Sequence, residues 1–275
     1  MTNFAKQLQT HLAGYKQERL RITEDGIWAR NGKAYPHVLP ATDKEYNILE
    51  PIRTAFWDYA GKNRLRSQLH RDFHHLSSSQ ALTFNLFFTF FGLPWSEHAV
   101  LLEALGVPGQ PIASFEFESV PDQAEATSFD FCATFTNGTR LLVEVKLSES
   151  DFGKCKNDEK HQIKRDALYR SRLVGKVQPS AVDSGEFFTQ YQLLRNVSHL
   201  REGDALVFLL PRANRAAFAH AKRFVKDVVT DATRPAIHVV AIEELLDAMS
   251  SAPVSPQTSD IITMLREKYI VAPAA

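Results

Sequence analysis

The stretch Ser128-Phe-Asp-Phe-Cys-Ala-Thr-Phe-Thr-Asn-Gly-Thr-Arg-Leu-Leu-Val-Glu-Val-Lys-Leu147 decides the fold. Apolar residues alternate on both sides of Asn137-Gly138, the pattern of two strands joined by a tight turn. Phe129, Phe131, Ala133 and Phe135 share one face of the first strand, and Leu141, Val143, Val145 and Leu147 share one face of the second. Directly paired residues point to the same side of a sheet, and a one-residue slip reverses that. A two-residue loop would set Asp130 opposite Val145 and split the apolar face. A three-residue loop, Thr136-Asn137-Gly138 with Gly138 left-handed in a bulge, pairs Phe135 with Thr139 instead. Phe131 then faces Val143 and Asp130 faces Glu144. This register is the expected one.

The acidic residues are unusual for a purely structural hairpin. Two carboxylates opposed on a sheet repel each other unless a cation sits between them. Oxygen ligands of this kind suit Mg²⁺, with Mn²⁺ as a substitute. Lys146, two residues beyond Glu144, would orient or deprotonate an attacking water, or stabilise phosphate oxygens. The competing reading is a solvated polar face with an ordinary Glu–Lys pair. Asp158-Glu159-Lys160 also fits the loose acid-x-Lys pattern, but it lies in a charged run without strand character.

Outward from the hairpin, periodicity divides the chain into a helical first third and an α/β remainder. Helices are expected over 4–20, 43–62, 77–91 and 96–105. A strand is expected over 114–120 ahead of the hairpin. Helices over 154–172, 187–200, 214–229, 243–249 and 258–268 follow, with buried strands at 204–210 and 236–242. The pattern predicts an α/β fold, a central mixed sheet flanked by helices, with an N-terminal helical extension. Residues 1–76 are assigned to the extension and 77–275 to the core.

Composition narrows the function classes. The chain has 275 residues, 44% hydrophobic and 23% charged, within the range of globular proteins. Its 32 basic and 32 acidic residues cancel, so nucleic-acid binding must come from a local patch. Cys132 and Cys155 make no disulfide framework, which fits a reducing cytoplasm. No apolar leader is visible at the N-terminus, and the apolar run Ala81 to Trp95 is too short and mixed to span a bilayer. No Gly-x-Ser-x-Gly or Walker loop supports a serine hydrolase or P-loop ATPase. His70, His74 and His75 include an i, i+4 pair, without the glutamate or cysteines that a zinc site would need. The phenylalanines of 84–91 are most simply core.

Asp130…Glu144-Val145-Lys146 resembles the core of the PD-(D/E)XK nuclease superfamily, the restriction-endonuclease-like fold. Ser78-Ser79-Gln80-Ala81…Asn85-Leu86-Phe87, Glu125 to Asp130, and Tyr191-Gln192-Leu193-Leu194-Arg195-Asn196 resemble a prokaryotic restriction-endonuclease group within it. The resemblance spans about half the chain. It implies metal-dependent phosphodiester hydrolysis, with Asp130 and Glu144 as metal ligands and Lys146 as the catalytic lysine. Phe129 stands where the pattern has Pro. Where many members carry a glutamate on the first core helix, this chain has Gln80, and Glu125 or Glu116 is the candidate extra ligand.

The resemblance also places Gln192 beside the active site, on a helix whose Gln192, Arg195 or Asn196, and His199 share a polar face. Lys154 to Lys176 carries eight basic and three acidic residues. Lys154, Lys156, Lys160, Lys164 and Arg165, with Gln80, are the expected nucleic-acid contacts. The preferred function is a Mg²⁺-dependent DNA endonuclease in restriction or defence, acting as a homodimer if both strands are cut. Alternatives are a nuclease of repair or recombination, and a non-catalytic nucleic-acid-binding domain of the same fold.

Overall fold

The computed structural model describes residues 3–107, 109–123 and 125–271. Helix α1 (Asn3–Glu18) buries Phe4, Leu8 and Leu12, spaced one turn apart. Strands β1 (Gly26–Trp28) and β2 (Lys33–Tyr35) pair as an antiparallel ribbon. The helix expected over 43–62 is divided into a 3₁₀ segment (Ala41–Asn47) and α2 (Glu50–Lys62). Pro51 explains the break, because its ring would clash with the Asn47 carbonyl in a continuous helix and is tolerated only in a first turn. Helix α3 (Ser79–Phe91) is capped by Ser78, whose hydroxyl accepts from the Ala81 N–H at 3.3 Å. Helix α4 (His98–Ala104) leads to β3 (Ile112–Ser119), β4 (Phe129–Phe135) and β5 (Arg140–Val145).

Helix α5 (Glu159–Lys164), a π turn (Arg165–Tyr169) and α6 (Arg170–Leu173) run on as one helical segment. Helices α7 (Pro179–Asp183), α8 (Glu186–Thr189) and α9 (Tyr191–Ser198) precede β6 (Ala205–Leu210). Helix α10 (Arg215–Asp227), β7 (Ile237–Ala241), α11 (Ile242–Ser251) and α12 (Pro256–Tyr269) complete the chain.

The sheet order is β3-β4-β5-β6-β7. The first three strands are antiparallel, and β6 and β7 are parallel, so the sheet is mixed as expected. In the hairpin, Phe131 pairs with Val143 and Thr134 with Arg140. The Phe135 N–H donates to the Thr139 carbonyl at 2.9 Å, and the Gly138 N–H to the Phe135 carbonyl at 2.9 Å. Gly138 has φ +85°, a conformation that costs other residues about 1 kcal/mol. This is the bulged three-residue loop.

The chain resolves into two compact units. The first comprises Met1–Gly109, Val145–Ser148 and Ile242–Ala275, and the second Gln110–Glu144 and Glu149–Ala241. The C-terminal helices α11 and α12 therefore count with the N-terminal helices. In the first unit α3 is apolar nearly all round and correspondingly buried. Phe84 and Phe88 pack on Phe56 at ring separations of 4.9 and 5.4 Å. The Asn85 side chain joins the Leu49 N–H, the Asn47 carbonyl and the Tyr269 hydroxyl, and the buried Lys268 Nζ donates to the same Asn47.

In the second unit, Cys132 and Leu142 of the hairpin pack with Phe152, Leu193, Leu194, Leu206 and Phe208 in one core. The hairpin face that carries Cys132 is therefore covered rather than solvated.

Candidate active site

Continuing the β4–β5 register by one pair beyond Phe131–Val143 sets Asp130 opposite Glu144. Asp130 is half-buried and Glu144 is 4% exposed. A buried carboxylate must be hydrogen-bonded, and α9 supplies the donors. Gln192 Nε2 donates to Glu144 Oε1 at 2.5 Å, and Asn196 Nδ2 donates to Oε2 at 3.1 Å. The two amides stand one turn apart on the helix, so each takes one oxygen of the same carboxylate. Amide donors orient the group without neutralising it. The Gly153 N–H donates to Gln192 Oε1 at 2.8 Å, which fixes which end of the amide faces Glu144.

The start of α9 is itself a long-range effect. The helix expected over 187–200 breaks at Gln190 (φ −111°, ψ 22°) into α8 and α9. A continuous helix would bond the Gln192 N–H to the Phe188 carbonyl. Instead the Gln192 N–H donates to the Gly153 carbonyl at 3.0 Å, and the Phe188 carbonyl accepts from the Cys155 N–H at 3.0 Å. The loop after β5 has inserted between them. That loop also explains why the helix expected from 154 begins only at Glu159, capped by Asp158.

Glu125 is placed differently from the ligand role expected of it. Its side chain is fully buried, and the carboxylate is held by donors from two distant segments. Lys164 Nζ lies 2.9 Å from Oε1, the Tyr169 hydroxyl donates to the same oxygen, and His199 Nε2 lies 3.4 Å from Oε2. Burial alone would raise its pKa. Hydrogen bonds from His199, Thr127, Tyr169 and Lys164 outweigh that and hold the carboxyl well below the usual range. Burial pushes the Tyr169 hydroxyl up, and its bonds to Glu125 and Tyr191 push it further. Burial opposes the Lys164 charge, but Glu125 more than compensates and its pKa rises. A carboxylate so committed is a structural anion, not an open metal ligand. Glu116 is exposed on β3 and accepts from the Ser119 hydroxyl at 2.7 Å.

The expected basic track is largely internally paired. Lys164 is spent on Glu125, Lys154 lies 3.1 Å from Asp151, and Arg165 lies 2.9 Å from Asp166. Arg172 pairs with Asp122 at 2.5 Å, Arg170 pairs with Asp166 and Asp183, and Lys176 donates to the Ser198 and Leu200 carbonyls. Lys156 and Lys160 are exposed. Gln80 is fully buried in α3. It accepts from the His70 N–H at 2.9 Å and donates to the Gln68 carbonyl at 3.1 Å, so both ends of its amide are engaged within the chain. Lys146 follows directly after the last residue of β5 and is half-buried.

Among the described residues, no group of three or more His, Cys, Asp or Glu side chains is arranged to hold a metal. Asp130 and Glu144 are the two carboxylates expected from the sequence to face a cation. Two hard carboxylates suit Mg²⁺, which keeps its remaining positions for water and substrate phosphate. Asn196 shares a polar face with Gln192 in the sequence, and that spacing is the local signal of its role. Among the described residues, no helix is long and apolar enough to cross a membrane.

A family model described as Restriction Endonuclease associating with ARP matches residues 9–270. No curated protein and no solved structure matches the chain.

Proposed function

The chain belongs to the family described as Restriction Endonuclease associating with ARP, and from that premise we propose that it is a metal-dependent DNA endonuclease. The observation that carries the proposal is the oriented carboxylate, Glu144, clasped by Gln192 and Asn196; the β4–β5 register, continued one pair beyond Phe131–Val143, would set Asp130 opposite it. Family membership makes a nuclease the coarse expectation. The carboxylate pair supports the finer reading of Mg²⁺ or Mn²⁺ chemistry of the PD-(D/E)XK type.

Asp130 and Glu144 would hold the cation. When bound, it supplies acidification of the attacking water and neutralises charge on the phosphate. Gln192 and Asn196 fix both Glu144 oxygens, so the ligand does not reorganise when substrate arrives. Lys146 serves the attacking water or the phosphate oxygens. Cleavage of both duplex strands calls for two such sites, hence two copies on one DNA. The function so served is restriction of foreign DNA.

The test is incubation of the purified protein with plasmid, linear and single-stranded DNA and with RNA, in Mg²⁺, Mn²⁺ or EDTA. Cleavage is expected with metal and not with EDTA. Glu144→Ala and Lys146→Ala should each lower the rate by about 10²–10³-fold or more. Metal-dependent cleavage that survives both substitutions moves the active site elsewhere.

A further inference from the structure

Helix α9 is tied at both ends to one buried anion. At its first residue, the Tyr191 hydroxyl lies 3.1 Å from the Tyr169 hydroxyl, which donates to Glu125. Just past its last turn, His199 Nε2 lies 3.4 Å from the other Glu125 oxygen. His199 also packs edge-on against Phe129, the neighbour of Asp130, at a ring separation of 5.5 Å. Between these two ties stand Gln192 and Asn196, the residues that hold Glu144.

The helical segment opposite is shaped for this arrangement. Lys164 and Tyr169 are five residues apart, and both reach Glu125 Oε1. Five residues of α-helix would turn them about 140° apart. The intervening π turn, closed by the Arg170 N–H on the Arg165 carbonyl, brings them onto one face. Lys164 Nζ sits over the Tyr169 ring, 5.7 Å from its centroid. A buried carboxylate that lost one of these partners would leave an uncompensated charge, so the network favours a single arrangement.

We propose that the Glu125–Lys164–Tyr169–His199 cluster is the positioning device for α9, setting Gln192 and Asn196 on Glu144. The inference rests on the metal-nuclease reading for its purpose, but its geometry can be tested without metal. Glu125, Tyr169 and Tyr191 act through other residues and touch neither metal nor substrate.

Tyr169→Phe and Tyr191→Phe each keep the ring and delete one hydroxyl, with Glu125→Gln as an isosteric third variant. In metal-free ¹⁵N-labelled protein, the side-chain amide signals of Gln192 and Asn196 are assigned by comparison with Gln192→Ala and Asn196→Ala. Both tyrosine variants should shift those signals toward free-amide positions and speed their hydrogen exchange about tenfold. Mg²⁺ affinity by calorimetry should weaken about threefold to tenfold, and this loss should vanish when Gln192 and Asn196 are already alanine. Unchanged amide signals in both variants overturn the proposal, even if the wild type binds metal and cuts DNA. So does an affinity loss that persists in the double-alanine background. Shifted amide signals in a protein that binds no Mg²⁺ or Mn²⁺ support the positioning device and defeat the metal reading instead.

Discussion

The two compact units solve the same problem, polar groups inside a core, in opposite ways. The first buries amides and bases: Asn47, Asn85, His37 and Lys268. There, burial suppresses charge. Desolvation takes His37 and His75 down to about 4 and pushes Lys268 well down. Its fully buried Lys16 pairs with Asp25, which is itself 38% exposed. The second unit also buries carboxylates and surrounds them with donors. Glu125 is enclosed by donors, and Asp204, 1% exposed, is bound by Arg140 at 2.5 Å. The lesson is that fixed charge has been kept in the unit that also holds the Asp130–Glu144 pair.

The largest effect that would sharpen this contrast is at Asp204. Its carboxylate accepts from the Arg140 N–H, the Arg140 guanidinium and the Arg201 N–H. Asp204→Ala leaves a buried arginine unpaired and should cost about 3–5 kcal/mol, read as the shift in a denaturant midpoint by circular dichroism. Asn85→Ala in the first unit should cost less, about 1–3 kcal/mol, because it orphans neutral groups. All three tryptophans, Trp28, Trp57 and Trp95, lie in the first unit, so their fluorescence reports that unit alone. If fluorescence and circular dichroism move together in both variants, the units unfold as one and the contrast is only local.

The smallest effect is the response to acid. For His37 and His75 the folded pKa lies below the unfolded value of about 6.5. The unfolded chain therefore binds protons that the folded chain refuses. Their contribution is complete above about pH 6.5 and is lost as pH falls toward 4. Melting followed by tryptophan fluorescence should drop across that window, and the double variant His37→Phe/His75→Phe should flatten the drop. Glu125 has the opposite placement. Its folded pKa is depressed, so its contribution persists through that window and begins to fade only below the unfolded carboxylate value of about 4.3. An equal drop in the double variant would break the contrast.

The hairpin was legible because two local rules agree in it. Asn137-Gly138 marks the turn and allows a two- or three-residue loop, and period-two apolar spacing selects the bulged one, from which the register follows. Glu125 was not legible in the same way. An acid near a candidate site reads as a ligand until its partners are known, and those partners lie 39, 44 and 74 residues along the chain. The positive run after β5 is half legible for the same reason, since its net charge is visible in the sequence and its pairing is not. The break at Gln190 has no local signal, because Gly153 and Cys155 impose it from a distant loop. Pro51, by contrast, announces its break in the sequence.

The π turn gives helix length a meaning that composition does not carry. A single-residue deletion anywhere within 165–168 would restore ordinary winding, keep every remaining side chain, and conserve the helical pattern. Lys164 and the tyrosine would then stand four apart, and four residues of α-helix already lie on one face. The π turn is therefore the device by which the segment carries one residue more than that facing needs. A change that straightened the turn at full length would swing the two about 140° apart, so the segment should be permissive to loss of the inserted position and strict about the winding that accommodates it.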